Sequence, residues 1–137
     1  MASKDLHHES GAAVALKHVA ISANGASAGE IIDTNGFRSL EFIIQSGTLT
    51  DGTYTPKLEA GDAANLSGAV EVTAALGLLG TIAGATFAAT DDDSVKRLGY
   101  VGGRRYVRLT VTAASVTTGG MIAAVAVLGH PWFVPTT

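Results

Sequence analysis

Apolar and polar positions alternate with a period of two through most of this chain. In residues 37–46, Leu40, Phe42 and Ile44 fall on one side, and Glu41, Ile43 and Gln45 on the other. Residues 53–60 place Tyr54, Pro56, Leu58 and Ala60 opposite Thr53, Thr55, Lys57 and Glu59. In residues 104–112, Arg105, Val107, Leu109 and Val111 share one side, and Arg104, Tyr106, Arg108, Thr110 and Thr112 share the other. Residues 13–22 set Val14, Leu16 and Ala20 against Ala15, Lys17, Val19 and Ile21. Shorter runs at 30–33, 95–101 and 121–128 behave alike. Side chains of a strand point alternately to its two faces, so these runs predict half-buried strands. Pro56 has no N–H for a ladder, which predicts an edge position for its strand.

Turn signals separate the runs. Residues 22–29 (SANGASAG) read as a loop, 33–36 (DTNG) as a tight turn, and 47–52 (GTLTDG) as another. Gly-Gly pairs at 102–103 and 119–120 join the last three strands. Residues 61–90 are the least regular. Ala and Leu favour a short helix near 70–79, Gly77, Gly80 and Gly84 oppose a long one, and the segment reads as a long connection with one or two short strands and Phe87 pointing inward. Seven or eight short strands with little helix predict an all-β antiparallel sandwich or barrel. The organisation expected is a single domain over 13–137, preceded by an extended N-terminal arm over 1–12.

Composition narrows what such a domain does. Nine basic and twelve acidic residues leave a net charge of −3, which argues against nucleic acid or an anionic membrane as a partner of the whole surface. Only 15% of residues are charged while 47% are hydrophobic, with small side chains prominent. Soluble domains carry about 25% charged residues, so this chain is expected to bury surface against other chains. There is no cysteine, which removes disulfides, thiolate catalysis and Cys-ligated zinc. Residues 1–10 are polar where a secretory signal needs an apolar stretch, and the apolar tracts 76–89 and 121–129 are too interrupted or too short to span a bilayer.

Candidate chemistry is sparse. The histidines are His7, His8, His18 and His130, and no Gly-x-Ser-x-Gly elbow accompanies them. Adjacent His7 and His8 diverge on an extended arm, which suits joint metal ligation poorly. Asp91, Asp92 and Asp93 lack the spaced oxygens of a calcium loop and read as a solvated acidic turn. The glycine-rich GLLGTIAG and GYVGG lack the ending of a phosphate-binding loop. No enzymatic activity, metal or cofactor is therefore expected. The exposed row Arg104, Tyr106 and Arg108 suits interface ion pairs better than a nucleic-acid groove, given the acidic run beside it. Trp132 and Phe133 either close the bottom of the domain or anchor in a partner's pocket. Trp132, Tyr100 and Tyr106 are the residues that would form a glycan-binding platform.

The segments SKDLHH, GFRSLEFIIQSGTLTDGTYTPKLEAGD, VKRLGYVGGRRYVRLTVT and VAVLGHP together resemble small virion structural proteins of tailed bacteriophages and prophages, in particular capsid decoration (cement) proteins. The resemblance implies a jelly-roll-like β-sandwich, commonly a homotrimer, on the outer surface of an assembled head, with the major capsid protein as partner. The interface would draw on Lys4, Asp5, Leu6, His7, His8, Arg104, Tyr106, Arg108, Trp132 and Phe133, with the arm ordering on a capsid edge. A tail or head–tail connector component, or a carbohydrate- or receptor-binding module, fits the same features.

Overall fold

A computed structural model describes residues 4–132. The chain forms ten strands: β1 (Ser10–Ile21), β2 (Gly25–Asp33), β3 (Phe37–Leu49), β4 (Thr53–Gly61), β5 (Val70–Glu71), β6 (Leu78–Leu79), β7 (Phe87–Ala88), β8 (Val95–Tyr100), β9 (Tyr106–Ala114) and β10 (Gly120–Pro131). Two antiparallel sheets face each other, in the orders β1-β10-β3-β8-β6 and β2-β9-β4-β5, with β7 also paired to β4. First pairs with last, β2 with β9, and β3 with β8. That nested pairing, alternating between two sheets, is jelly-roll topology. The all-β, single-domain sandwich expected from the alternation is what the chain adopts.

Parity places the core. Leu40, Phe42 and Ile44 of β3 and Leu98 of β8 meet Leu58 of β4 and Val107, Leu109 and Val111 of β9, all of them buried. Phe87 is buried too, as expected. Each such side chain contributes roughly 1.5–3 kcal/mol by leaving water. Lys96 sits on the inward parity of β8, where only two residues of β6 cover the sheet edge. Its ammonium donates to the Thr86 carbonyl (2.7 Å), pairs with Asp91 (3.3 Å) and stands 5.2 Å over the Phe87 ring. An inward cation of this kind blocks a foreign strand from extending the sheet.

The structure departs from simple alternation in four places. Ala15 and Leu16 are both buried, because β1 has register shifts between Val14 and Leu16 and between Leu16 and Val19. Strand β2 begins at Gly25, so most of the expected 22–29 loop is strand. Its small Gly, Ala and Ser residues carry no strand signal of their own and are held by pairing with β9. Gly29 shows why small residues are needed there. A Cβ would fall on the carbonyl oxygen of Ala15 and 2.6 Å from that of Leu109, where β2 passes β1. Strand β4 is not an edge, having β9 on one side and β5 and β7 on the other. Pro56 is tolerated because those two short strands pair only with 53–54 and 59–60, leaving its missing donor opposite a gap. The helix expected near 70–79 is a single 3-10 turn, Ala74–Leu76, stopped by Gly77 at φ 106°.

Candidate partner-binding end of the sandwich

Antiparallel pairing brings distant segments to one end of the sandwich. Ser10 lies opposite Gly129, Phe37 opposite Pro131, Asp33 opposite Tyr106 and Leu40 opposite Tyr100. The β2–β3 turn, the β8–β9 turn, the finish of β10 and the N-terminal residues therefore share a rim.

The two turns are clamped together. The Arg105 guanidinium grips Asp33 with two bonds, Nε to Oδ1 and Nη2 to Oδ2, both 2.8 Å. The Thr34 N–H and hydroxyl both donate to the Arg105 carbonyl, at 2.9 and 2.7 Å. Asp33 also accepts the Asn35 N–H at 3.0 Å. The Arg105 fork, offset in part by burial and aided by that N–H, holds the Asp33 carboxyl below the usual range, and Asp33 raises the arginine in turn. The Arg105 guanidinium stands 5.0 Å from the centre of the Tyr106 ring. Beneath the turn, buried Tyr100 accepts the Arg104 N–H on its hydroxyl at 2.9 Å. That hydroxyl would lie 2.5 Å from a Cβ at Gly102, so the glycine is required by the close approach.

Between the turns and the end of β10 lies an open cleft of about 350 Å³, lined by Asn35, Phe37, Arg38, Arg104, Arg105 and Trp132 among others. Arg104 pairs with exposed Asp62 at 2.8 Å. Arg38 is exposed and has no carboxylate partner among the described residues. Trp132 is half exposed, and its backbone N–H donates to the Gly36 carbonyl at 2.8 Å, holding the residue's main chain at the rim. Just before it, His130 holds φ 51° ahead of Pro131, a strained conformation for a residue preceding proline. Ser39 Oγ lies 2.7 Å from His130 Nδ1. The cleft combines one uncommitted arginine, two committed ones and an aromatic face. Chemically, that suits a carboxylate-bearing protein segment.

The N-terminal segment is more compact than an extended arm. His7–Glu9 form a 3-10 turn before β1. Asp5 accepts the His8 N–H at 3.0 Å and contacts His8 Nδ1 at 2.6 Å, which together hold its carboxyl below the usual range. The His7 and His8 rings meet edge to face at 5.0 Å, and Ser10 Oγ donates to the Leu6 carbonyl at 2.6 Å. Lys4 and Leu6 are exposed.

Of the residues singled out from sequence, this end gathers Lys4, Asp5, Leu6, His7, His8, Arg104, Tyr106 and Trp132. Arg108 stands apart on the outward face of β9. It is only partly exposed, 3.4 Å from Glu59, and its Nε is buried without a hydrogen-bond partner among the described residues. Its place in a fully exposed arginine row is corrected: β2 and β4 flank it, and Thr110 beside it is buried. Tyr100 is in the core and belongs to no glycan platform. Phe133 lies outside the described residues. Sequence reasoning missed Asp33, Asn35, Arg38 and Arg105. The complementary charges of DTNG and GGRR are a usable signal only once the two turns are known to be neighbours.

The acidic run at 91–93 is structural rather than simply solvated. Asp91 accepts the Ala88 N–H at 2.7 Å and Asp92 accepts the Leu49 N–H at 2.7 Å. Among the described residues no helix is long and apolar enough to cross a membrane.

No protein-family model matches the chain, and no curated protein matches it in sequence. Solved structures share its fold. The SPBc2 prophage-derived protein YomS superposes with a TM-score of 0.52 at 18% identity, over 89% of this chain and 94% of YomS. The PBSX exported protein XepA superposes with a TM-score of 0.51 at 15% identity, over 92% of this chain but only 39% of XepA. The chain thus matches YomS over nearly its whole length and spans about two fifths of XepA. At these identities the likeness is one of fold.

Proposed function

We propose that this chain is a structural protein of a bacteriophage particle, acting as a decoration protein that binds the exterior of the assembled head and bridges major capsid protein subunits. The observation that carries this reading is the gathering of Arg38, Arg104 and Trp132 around one cleft at the end of a jelly roll, the end at which the N-terminal turn also lies. A prophage-derived protein of matching extent and fold supports the phage setting. The cleft would grip an acidic loop of the capsid, with Trp132 as an apolar anchor and Arg38 supplying the new ion pair. A protein that binds only the assembled shell stabilises that state by mass action, and attachment to several subunits adds avidity. The work is binding rather than catalysis, and it needs no cofactor.

The test is co-sedimentation of the purified chain with undecorated heads of the phage that encodes it. Trp132→Ala combined with Arg38→Ala is expected to weaken binding at least about tenfold, as loss of an interface anchor does. Deletion of residues 2–9 is expected to abolish it while far-UV circular dichroism stays unchanged. Unchanged binding by both variants overturns the reading. Copy number separates the connector role, since a single ring per particle is a connector and a number scaling with capsid subunits is decoration.

A further inference from the structure

The outward face of the β1-β10-β3-β8-β6 sheet is finished differently from the rest of the surface. Register places Val14, Val125, Ile43 and Arg97 side by side across four strands. The next row runs Ala12, Val127, Glu41, Gly99 and Leu79 across all five. Met121 and Val95 extend the same face. Val14 is 53% exposed, Val125 44%, Val95 58%, Leu79 49% and Met121 38%. Contiguous apolar patches beyond a few hundred Å² mark interaction sites on soluble monomers. At about 4.8 Å between strands and 3.4 Å per residue, the four main strands offer a footprint on the order of 600 Å², polar positions included. That approaches the roughly 800 Å² per partner of a standard stable interface.

The charges on these rows are Glu41 and Arg97, one of each sign, and neither takes part in an ion pair among the described residues. A strongly acidic or basic partner would satisfy one and strand the other. A second copy of this chain satisfies both, because in an isologous contact residue i meets j and j meets i.

We propose that this face is the interface of a back-to-back homodimer, with the Val14–Val125–Ile43 row at its centre and Glu41 of each copy facing Arg97 of the other. The sheets stack face to face, as two sheets do inside a sandwich. The stoichiometry is even, in place of the trimer that the resemblance implies. The inference stands apart from the particle-binding reading, which uses the end cleft.

Sedimentation-velocity and light-scattering masses of the full chain over a concentration series test it. The wild type is expected at twice the 13.8 kDa chain mass. Val125→Glu is expected to give a monomer, weakening association at least about 100-fold through an unpaired buried charge. Thr112→Glu, an equal change on the opposite sheet's outward face, leaves the dimer intact. Glu41→Arg touches no core side chain and is expected to break the dimer, with Glu41→Arg/Arg97→Glu restoring it, so the test survives misfolding of Val125→Glu. A monomeric wild type, a trimer, or a dimer indifferent to both Val125→Glu and Glu41→Arg overturns the proposal. A monomer that still coats heads overturns the dimer and leaves the particle-binding reading standing.

Discussion

The outward faces of the two sheets differ more than their inward faces do. On β2-β9-β4, that face carries Lys57, Glu59, Arg108, Thr110, Thr112 and Asp33, with Arg108 and Thr110 both reaching Glu59. On β1-β10-β3-β8 it carries Val14, Val125, Ile43, Met121 and Val95, with Glu41, Gln45 and Arg97 among them. Large exposed apolar side chains are therefore more frequent on the second face than on the first. One face holds its polar groups to each other and to water, and the other leaves apolar surface without cover. A sandwich that needed only to fold would have polar side chains on both.

Substitutions on the two inward faces should erase the contrast, and this is the largest effect expected. Phe42→Ala under one sheet and Leu109→Ala under the other should each cost about 2–5 kcal/mol, because both side chains are wholly buried. Urea unfolding with unchanged slope checks this. A cost below about 1 kcal/mol for either would mean that its sheet is not packed against a common core.

The joint between the sheets at the end away from the cleft should be sensitive to acid. Asp51, in the β3–β4 turn, accepts the N–H groups of Thr117 (3.0 Å), Thr118 (3.0 Å) and Gly119 (2.9 Å) from the β9–β10 turn. Those bonds, that of Thr118 foremost, hold its carboxyl below the usual range. A carboxylate lowered in the folded state stabilises at pH values above its unfolded pKa, about 4, and loses that contribution as pH falls through the folded value. Tm should be flat from neutral pH to about pH 4 and fall below it. Asp51→Asn should lower Tm at neutral pH and flatten part of the acid limb. Parallel Tm–pH curves for the two proteins would remove Asp51 from the joint.

The smallest effect belongs to Arg108. Its bond to Glu59 is long, 3.4 Å, and its Nε is buried without a hydrogen-bond partner among the described residues, so the guanidinium recovers little of its desolvation. Arg108→Met, which keeps the aliphatic stem, should change stability by no more than about 1 kcal/mol. A loss well beyond that, measured by urea unfolding, would show that the polar face depends on this ion pair.

Much of the fold was legible in local pattern. The alternation in 37–46, 53–60 and 104–112 named the inward residues of β3, β4 and β9 correctly, since a strand buried on one side must repeat every second residue. The pattern failed at 13–22, where bulges put Ala15 and Leu16 on the same side, and at 22–29, where small residues carry no strand signal. Of the end cleft, Arg104 and Trp132 stood out as rare side chains in exposed settings. Arg38, Asp33 and Arg105 did not, because their meaning depends on two turns seventy-odd positions apart lying together, as the Asp33–Arg105 and Thr34–Arg105 bonds show.

By itself, the sequence determined that the chain is an all-β sandwich or barrel, which residues of its regular strands face inward, and that its charged fraction is low for a soluble domain. Alternation and composition are local quantities, and they are enough for that. Tertiary structure decided which strands are neighbours, that Pro56 sits beside a gap in an interior strand, and that Val14, Leu79, Val95, Met121 and Val125 share the outward face of one sheet. Strand order is set by pairing between distant segments, such as β1 with β10, and no local preference encodes it. Only when those pairs form do Val14, Val125 and Ile43 become one row rather than three unrelated positions.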